Sequence, residues 1–159
     1  MGCDIHEYLE YRPNGNTTWY IHRASVSLGR NYSVFAHLAG VRNYGEVTPI
    51  AAGRGLPVDA DHRTRCENCV YVSDSGRDGT VSRERAEGWI KSGSSKWYHE
   101  GVFVTNPDWH SHSWCTLAEL KLALERSEGY DDSYRYLVAV MELTEQLGHE
   151  CRLVFWFDN

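Results

Sequence analysis

The sequence predicts an α+β protein: a single compact domain with a central, mainly antiparallel sheet and flanking helices. Three observations carry that expectation. The opening residues alternate with a two-residue period, a helix-capping signature stands at Thr116, and the final stretch 151–157 is rich in strand formers. A length of 159 residues suits one domain, 1–159. A distinct stretch, 60–105, is a candidate inserted subregion within it.

From Cys3 to Arg12, one side of the alternation holds Cys3, Ile5, Glu7, Leu9 and Tyr11; the other holds Asp4, His6, Tyr8, Glu10 and Arg12. Pro13-Asn14-Gly15-Asn16 reads as a turn, and Thr18–Arg23 as the returning strand of a hairpin. Tyr32–Ala39 reads as a short helix with Phe35 and Leu38 on its apolar side and Gly40 as its stop. From Arg42 to Arg65 the glycines and prolines predict an ordered loop. A Cys66-Glu67-Asn68-Cys69 knuckle then leads into Val70-Tyr71-Val72. Arg83–Lys91 is a helix with Ser82 as its cap, and Gly101–Thr105 a strand.

Thr116 and Glu119 form a capping box ahead of the stripe Leu117, Leu120 and Leu124. A second helix, Ser133–Leu147, presents Tyr134, Leu137, Met141 and Thr144 at three-and-four spacing before Gly148. The terminal strand Cys151–Phe157 is expected beside the first strand within the sheet.

Sixteen Lys and Arg face twenty-two Asp and Glu, a net charge of −6, which argues against a broad DNA-binding face. No run approaches a membrane span. The start has no basic region followed by an apolar stretch, and the five cysteines are odd in number and scattered. Reduced thiols in the cytoplasm are therefore expected.

Two short motifs point to metal chemistry. In Asp4-Ile5-His6, an extended backbone sends a carboxylate and an imidazole to one face. In Asp108-Trp109-His110-Ser111-His112, an extended backbone does the same for one carboxylate and two imidazoles. Asp158 follows an apolar strand, where it can ligate an ion or orient an imidazole. Together they predict a divalent ion, zinc or manganese, held by Asp4, His6, His110, His112 and Asp158. Such an ion activates water and polarises a phosphoryl group. Asp59 or Asp108 is then the candidate proton acceptor, and Arg54 the candidate cation for phosphate charge. The plainer alternatives are a structural Asp4–His6 pair, a surface loop for His110 and His112, Asp158 as a solvated chain end, and an Arg54–Asp59 pair across the Gly55–Pro57 turn.

His62, Cys66 and Cys69 have a separate spacing, H-x3-C-x2-C. It predicts a structural zinc stapling the inserted subregion, with His99 or Cys115 as a fourth ligand. The alternative is an inert or labile thiol pair.

The stretches Met1-Gly2-Cys3-Asp4-Ile5-His6, Phe35–Asn43, Arg54-Gly55-Leu56-Pro57, His110–Trp114 and Phe155-Trp156-Phe157-Asp158-Asn159 resemble a family of small phage and prophage proteins. The resemblance spans nearly the whole chain. It implies a protein made in the cytoplasm of a bacterial host, and a variable insertion around Cys66 and Cys69. It brings no activity with it.

The leading functional expectation is a metal-dependent hydrolase, a phosphodiesterase acting on a small nucleotide-like substrate. The rival is a non-catalytic protein that captures such a nucleotide or binds and inhibits a bacterial host protein. Arg42, Arg54 and the aromatic residues would recognise a phosphorylated ring by charge and stacking.

Overall fold

A computed structural model describes residues 2–24, 26–95, 98–99 and 101–159. Met1, at the head of the family-like stretch, lies outside the described residues, as do 96, 97 and 100 of the 60–105 subregion. In chain order the elements are β1 (Ile5–Arg12), β2 (Tyr20–Ile21), α1 (Tyr32–Ala39), α2 (His62–Glu67), β3 (Cys69–Val72), β4 (Thr80–Val81) and α3 (Arg83–Ser92). There follow β5 (Tyr98–His99), β6 (Phe103–Thr105), β7 (His110–Cys115), α4 (Leu117–Arg126), α5 (Asp132–Gln146) and β8 (Glu150–Phe157). The chain divides into two units, residues 1–61 with 111–159, and residues 62–110.

The first unit carries the sheet β2-β1-β8-β7. Strand β1 pairs antiparallel with β8 along its whole length, from Ile5 opposite Phe157 to Arg12 opposite Glu150. This register sends Ile5, Leu9, Leu153, Phe155 and Phe157 into one core with Phe35 and Leu38 of α1, Leu120 of α4, and Leu137 and Met141 of α5. Helix propensity alone would not hold helices this short; burial of one face does. The ends are set locally. Asn31 accepts from the Val34 amide at 3.0 Å to open α1, and Gly40 closes it at φ 74°. Thr116 and Glu119 complete the capping box of α4. The α+β class and the mainly antiparallel sheet with flanking helices are as the sequence predicts.

The second unit has its own sheet, β4-β3-β6-β5, in which β3 runs parallel to β4 and antiparallel to β6. Val72, Val81, Ala86 and Val104 form its small core, with Val70, Trp89 and Ile90 against it. Ser82 caps α3 by accepting from the Arg85 amide at 3.3 Å. Helix α2 occupies His62–Glu67, where the sequence reading places loop and then knuckle. It buries only Thr64, so it offers no apolar stripe to read. Among the described residues no helix is long and apolar enough to cross a membrane.

Candidate functional site

The antiparallel β1·β8 register brings the two ends of the chain together at one end of the pair. Asp158 leaves β8 where Asp4 enters β1. The Asp158 amide donates to the Asp4 carbonyl at 3.1 Å, and the Asp4 amide donates to Asp158 Oδ1 at 3.0 Å. The other carboxylate oxygen, Asp158 Oδ2, is 2.9 Å from His6 Nε2. Burial pushes the Asp158 carboxyl upward, but the His6 hydrogen bond, the Asp4 amide and the charges of His6 and Arg30 outweigh it. Its pKa therefore lies below the ordinary carboxylate value, and the ionised group accepts from His6 Nε2–H. A hydrogen bond of this kind, Nε2–H to carboxylate, favours the Nε2-protonated tautomer whenever the imidazole is neutral.

Asp4 does not share this pair's orientation. It precedes β1, and its carboxylate is held by the Arg30 fork, Nε to Oδ1 and Nη2 to Oδ2, both at 2.8 Å. Gly2 lies against the same guanidinium, so closely that a Cβ there would stand 2.4 Å from Arg30 Nη1. Arg42 joins the two ends of the chain, with Nη2 3.5 Å from the Gly2 carbonyl and 3.4 Å from Asn159 Oδ1. Its backbone sits at φ 52°, a conformation that side chains with a Cβ adopt rarely. The buried Cys3 thiol is pushed up by burial, which the neighbouring Arg42 only partly offsets.

On the sheet face that carries His6, aromatic rings lie across three strands. Trp156 of β8 stacks with His6 of β1 at 6.0 Å between centroids, with Tyr8 at 5.2 Å and with His112 of β7 at 5.8 Å. His6 and His112 therefore stand two strands apart, about 10 Å by ordinary strand spacing, with the indole between them. In this arrangement the two imidazoles do not share one ion.

The remaining predicted residues are distributed as follows. Arg54 does not pair with Asp59. Its guanidinium forks onto Glu119, at 2.9 Å and 2.5 Å, and lies 4.8 Å above the Trp114 ring. Asp59 instead accepts from Arg152 Nη1 at 2.9 Å and from Trp19 Nε1 at 3.1 Å. Asp108 and His110 belong to the second unit. Asp108 lies in a turn, its amide donating to Asn106 Oδ1 at 3.0 Å, and Ser111 at φ 55° interrupts the extended backbone. The expected common face for Asp108, His110 and His112 is broken at both points.

In α2, Cys66 Sγ is 3.4 Å from His62 Nε2. Cys69 donates its thiol proton to the Arg65 carbonyl at 3.2 Å. Burial, with a contribution from Cys66, pushes the Cys69 thiol up to about 12. Cys115 is wholly buried in the first unit's core and its thiol is likewise pushed up by burial. Among the described residues no three His, Cys, Asp or Glu side chains are grouped so as to hold a metal ion.

Sequence reasoning misses Arg30, a lone cation in a stretch without periodicity. It also misses Trp156, which becomes visible only once the β1·β8 register is known. No protein-family profile, no curated protein and no solved structure matches the chain.

Proposed function

We propose that the protein hydrolyses a small nucleotide-like phosphodiester with the aid of a divalent ion, zinc or manganese, at the cluster of Asp4, His6 and Asp158. The observation that supports this reading is the 2.9 Å Asp158–His6 contact between opposite ends of the chain, with Arg30 beside it. A carboxylate that favours one tautomer of an imidazole prepares it to take a proton from water and return it to the leaving oxygen. Water adds to phosphorus, the ester P–O bond breaks, and a phosphomonoester and an alcohol are released. The ion supplies charge neutralisation on the phosphoryl oxygens. We assign phosphate recognition to Arg30, whose pair with Asp4 is about half exposed, instead of Arg54, whose pair with Glu119 keeps only 27% of each side chain in water, and proton transfer to His6 instead of Asp59 or Asp108. The resemblance to phage proteins makes a nucleotide of a bacterial host the first substrate class to examine.

The test is product analysis. The protein is incubated with cyclic and linear dinucleotides in the presence of zinc, manganese or a chelator. Ion-dependent formation of a phosphomonoester is expected, as a linear dinucleotide from a cyclic one and a mononucleotide from a linear one, and His6→Ala should abolish it while the far-ultraviolet spectrum stays unchanged. Absence of product from every nucleotide with either ion defeats the reading.

Capture of an unaltered nucleotide, or binding of a host protein, is the second reading. It needs only the exposed Arg30 fork, 47% of whose side chain lies in water, and no ion. A nucleotide recovered intact after denaturation of the complex would support capture.

A further inference from the structure

At the end of β1·β8 remote from Asp4, where Arg12 lies opposite Glu150, the first unit holds an open cavity of about 550 Å3. Pockets for small molecules run from roughly 300 to 1,000 Å3. Two indoles, Trp19 and Trp114, supply an apolar wall, and side chains of both charges supply the rest. The guanidinium groups of Arg12 and Arg152 lie against the Trp19 ring, 4.7 Å and 4.0 Å from its centroid. Glu145 and Glu150 line the same cavity.

Its polar groups are incompletely satisfied on both the donor and the acceptor side. Arg12 Nε and Nη2 donate to one oxygen of Glu150, Oε2, so Oε1 has no partner among the described residues. The Glu145 carboxylate meets the Cys151 thiol at 3.8 Å and no cation among the described residues. The Arg152 side chain is only 7% exposed. Its Nη2 lies 2.8 Å from Glu10 Oε2 but off the line of a hydrogen bond, and it has no other acceptor among the described residues. His149 Nδ1 is buried in the same wall and also makes no hydrogen bond. Buried polar atoms are nearly always hydrogen-bonded, so two exceptions lining one cavity point to a polar ligand received there.

The balance of charge selects the ligand. Glu150 neutralises Arg12, and Glu10 and Asp59 neutralise Arg152, so a simple anion gains little net attraction. Two guanidinium groups against Trp19 repel a simple cation from that indole. A zwitterion meets the open donors and the open acceptors together. We propose that this cavity binds a free α-amino acid with an apolar or aromatic side chain. The carboxylate accepts from Arg12 and from Arg152 Nη2, and the ammonium donates to Glu145 and to Glu150 Oε1. The side chain lies against Trp114, which is the more open indole, Trp19 being buried. The ion pairs of Arg152 with Glu10 and Asp59 stay in place. Nothing in this site depends on the hydrolase reading.

The experiment titrates the native protein with L-phenylalanine and with L-leucine, by calorimetry and by the indole Nε1–H signals of a 1H–15N spectrum. Both amino acids should bind, and the signal lost in Trp114→Phe should be the one that moves most. 2-Phenylethylamine lacks the carboxylate and 3-phenylpropanoate lacks the ammonium, and each should bind about tenfold more weakly than L-phenylalanine. Glu145→Gln, a change at an exposed position, should weaken L-phenylalanine several-fold and leave 3-phenylpropanoate unchanged. Arg12→Met should weaken 3-phenylpropanoate and L-phenylalanine and leave 2-phenylethylamine unchanged. Neither heat nor movement of an indole signal with either amino acid at millimolar concentration overturns the proposal, and this measurement needs no variant. So does an analogue carrying a single charge that binds as tightly as L-phenylalanine. A Glu145→Gln protein, folded by its circular dichroism, that binds L-phenylalanine as the native one does overturns it as well.

Discussion

The two ends of the β1·β8 pair hold the same kinds of residue in opposite settings. At one end Asp4, Arg30, His6 and Asp158 pair at the surface, with roughly a third to a half of each side chain in water. Toward the other end, Arg152 of β8 lies opposite Glu10 of β1. Its guanidinium donates through Nε to Glu10 Oε2 at 2.9 Å and through Nη1 to Asp59 at 2.9 Å, and it lies 4.0 Å from the Trp19 ring centroid. Glu10 is wholly buried, and its second oxygen accepts the Asp61 amide at 2.8 Å. Water decides what each cluster can do. The exposed ions can trade partners with a ligand at little cost, whereas a buried ion has no other source of solvation. The hydrolase reading proposed above therefore belongs at the Asp4 end, and the buried Arg152 cluster is architecture.

The largest expected effect tests that division directly. Arg152→Met leaves the Glu10 carboxylate buried opposite a neutral side chain, a change that typically costs about 3–5 kcal/mol. Urea denaturation at pH 7 measures it. The double variant Glu10→Met/Arg152→Met should recover most of the loss, since an apolar pair of similar volume needs no counter-charge. A loss below about 1 kcal/mol in the single variant, against that expected 3–5, would show that the buried cluster is as exchangeable as the exposed one.

Glu7 sharpens the comparison as a carboxyl on the core row of β1. It accepts from the Leu28 amide at 2.8 Å. Burial raises its pKa from an ordinary 4.5 to about 7, and the Leu28 hydrogen bond only partly offsets this. The folded protein thus keeps the proton to about pH 7, while the unfolded chain releases it near 4.5. The group's contribution is fully present below the lower value and is lost as pH rises through the higher one, by about 3 kcal/mol in all. Glu7→Gln should remove that dependence, so its advantage over the native protein grows between these two pH values. Parallel stability curves for the two proteins across that window would show that Glu7 is solvated like Asp4.

Residues read correctly from sequence are those whose signals are local. Helix α1 spans the predicted Tyr32–Ala39, with its cap and its Gly40 stop, and the Thr116–Glu119 box announces α4 within four positions. The stripe Tyr134, Leu137, Met141 and Thr144 is buried in α5 because burial itself imposes that period. Asp158 is legible as a candidate because it follows an apolar strand, and His6 because an extended backbone sets it on one face with Asp4. The partners are not legible. Arg152 meets Glu10 across 142 positions, and Arg30 meets Asp4 from a loop, so neither pairing leaves a spacing to detect. Glu7 is a partial exception: a carboxylate within the row Cys3, Ile5, Leu9 and Tyr11 already marks an acid facing the core.

Arg54 and Glu119 make the intermediate case, and the smallest expected effect. Both side chains keep about a quarter of their surface exposed, 27% each. The Arg54 hydrogen bond is the main reason that the Glu119 carboxyl is lowered from 4.5 to about 2. Burial opposes it, and the Thr116 amide, donating at 2.9 Å, assists. A depressed carboxyl stabilises the fold above its unfolded value, and that contribution fades as pH falls from about 4.5 toward 2. Solvent screening limits it to roughly 1 kcal/mol. Arg54→Met should cost about that much at pH 7 and progressively less in acid, with the capping box at Thr116 still formed. A loss as large as that of Arg152→Met would place Glu119 among the buried ions. A loss that persists unchanged below pH 2 would instead point to the packing of Arg54 on Trp114, because the ion pair has vanished there and the stacking has not.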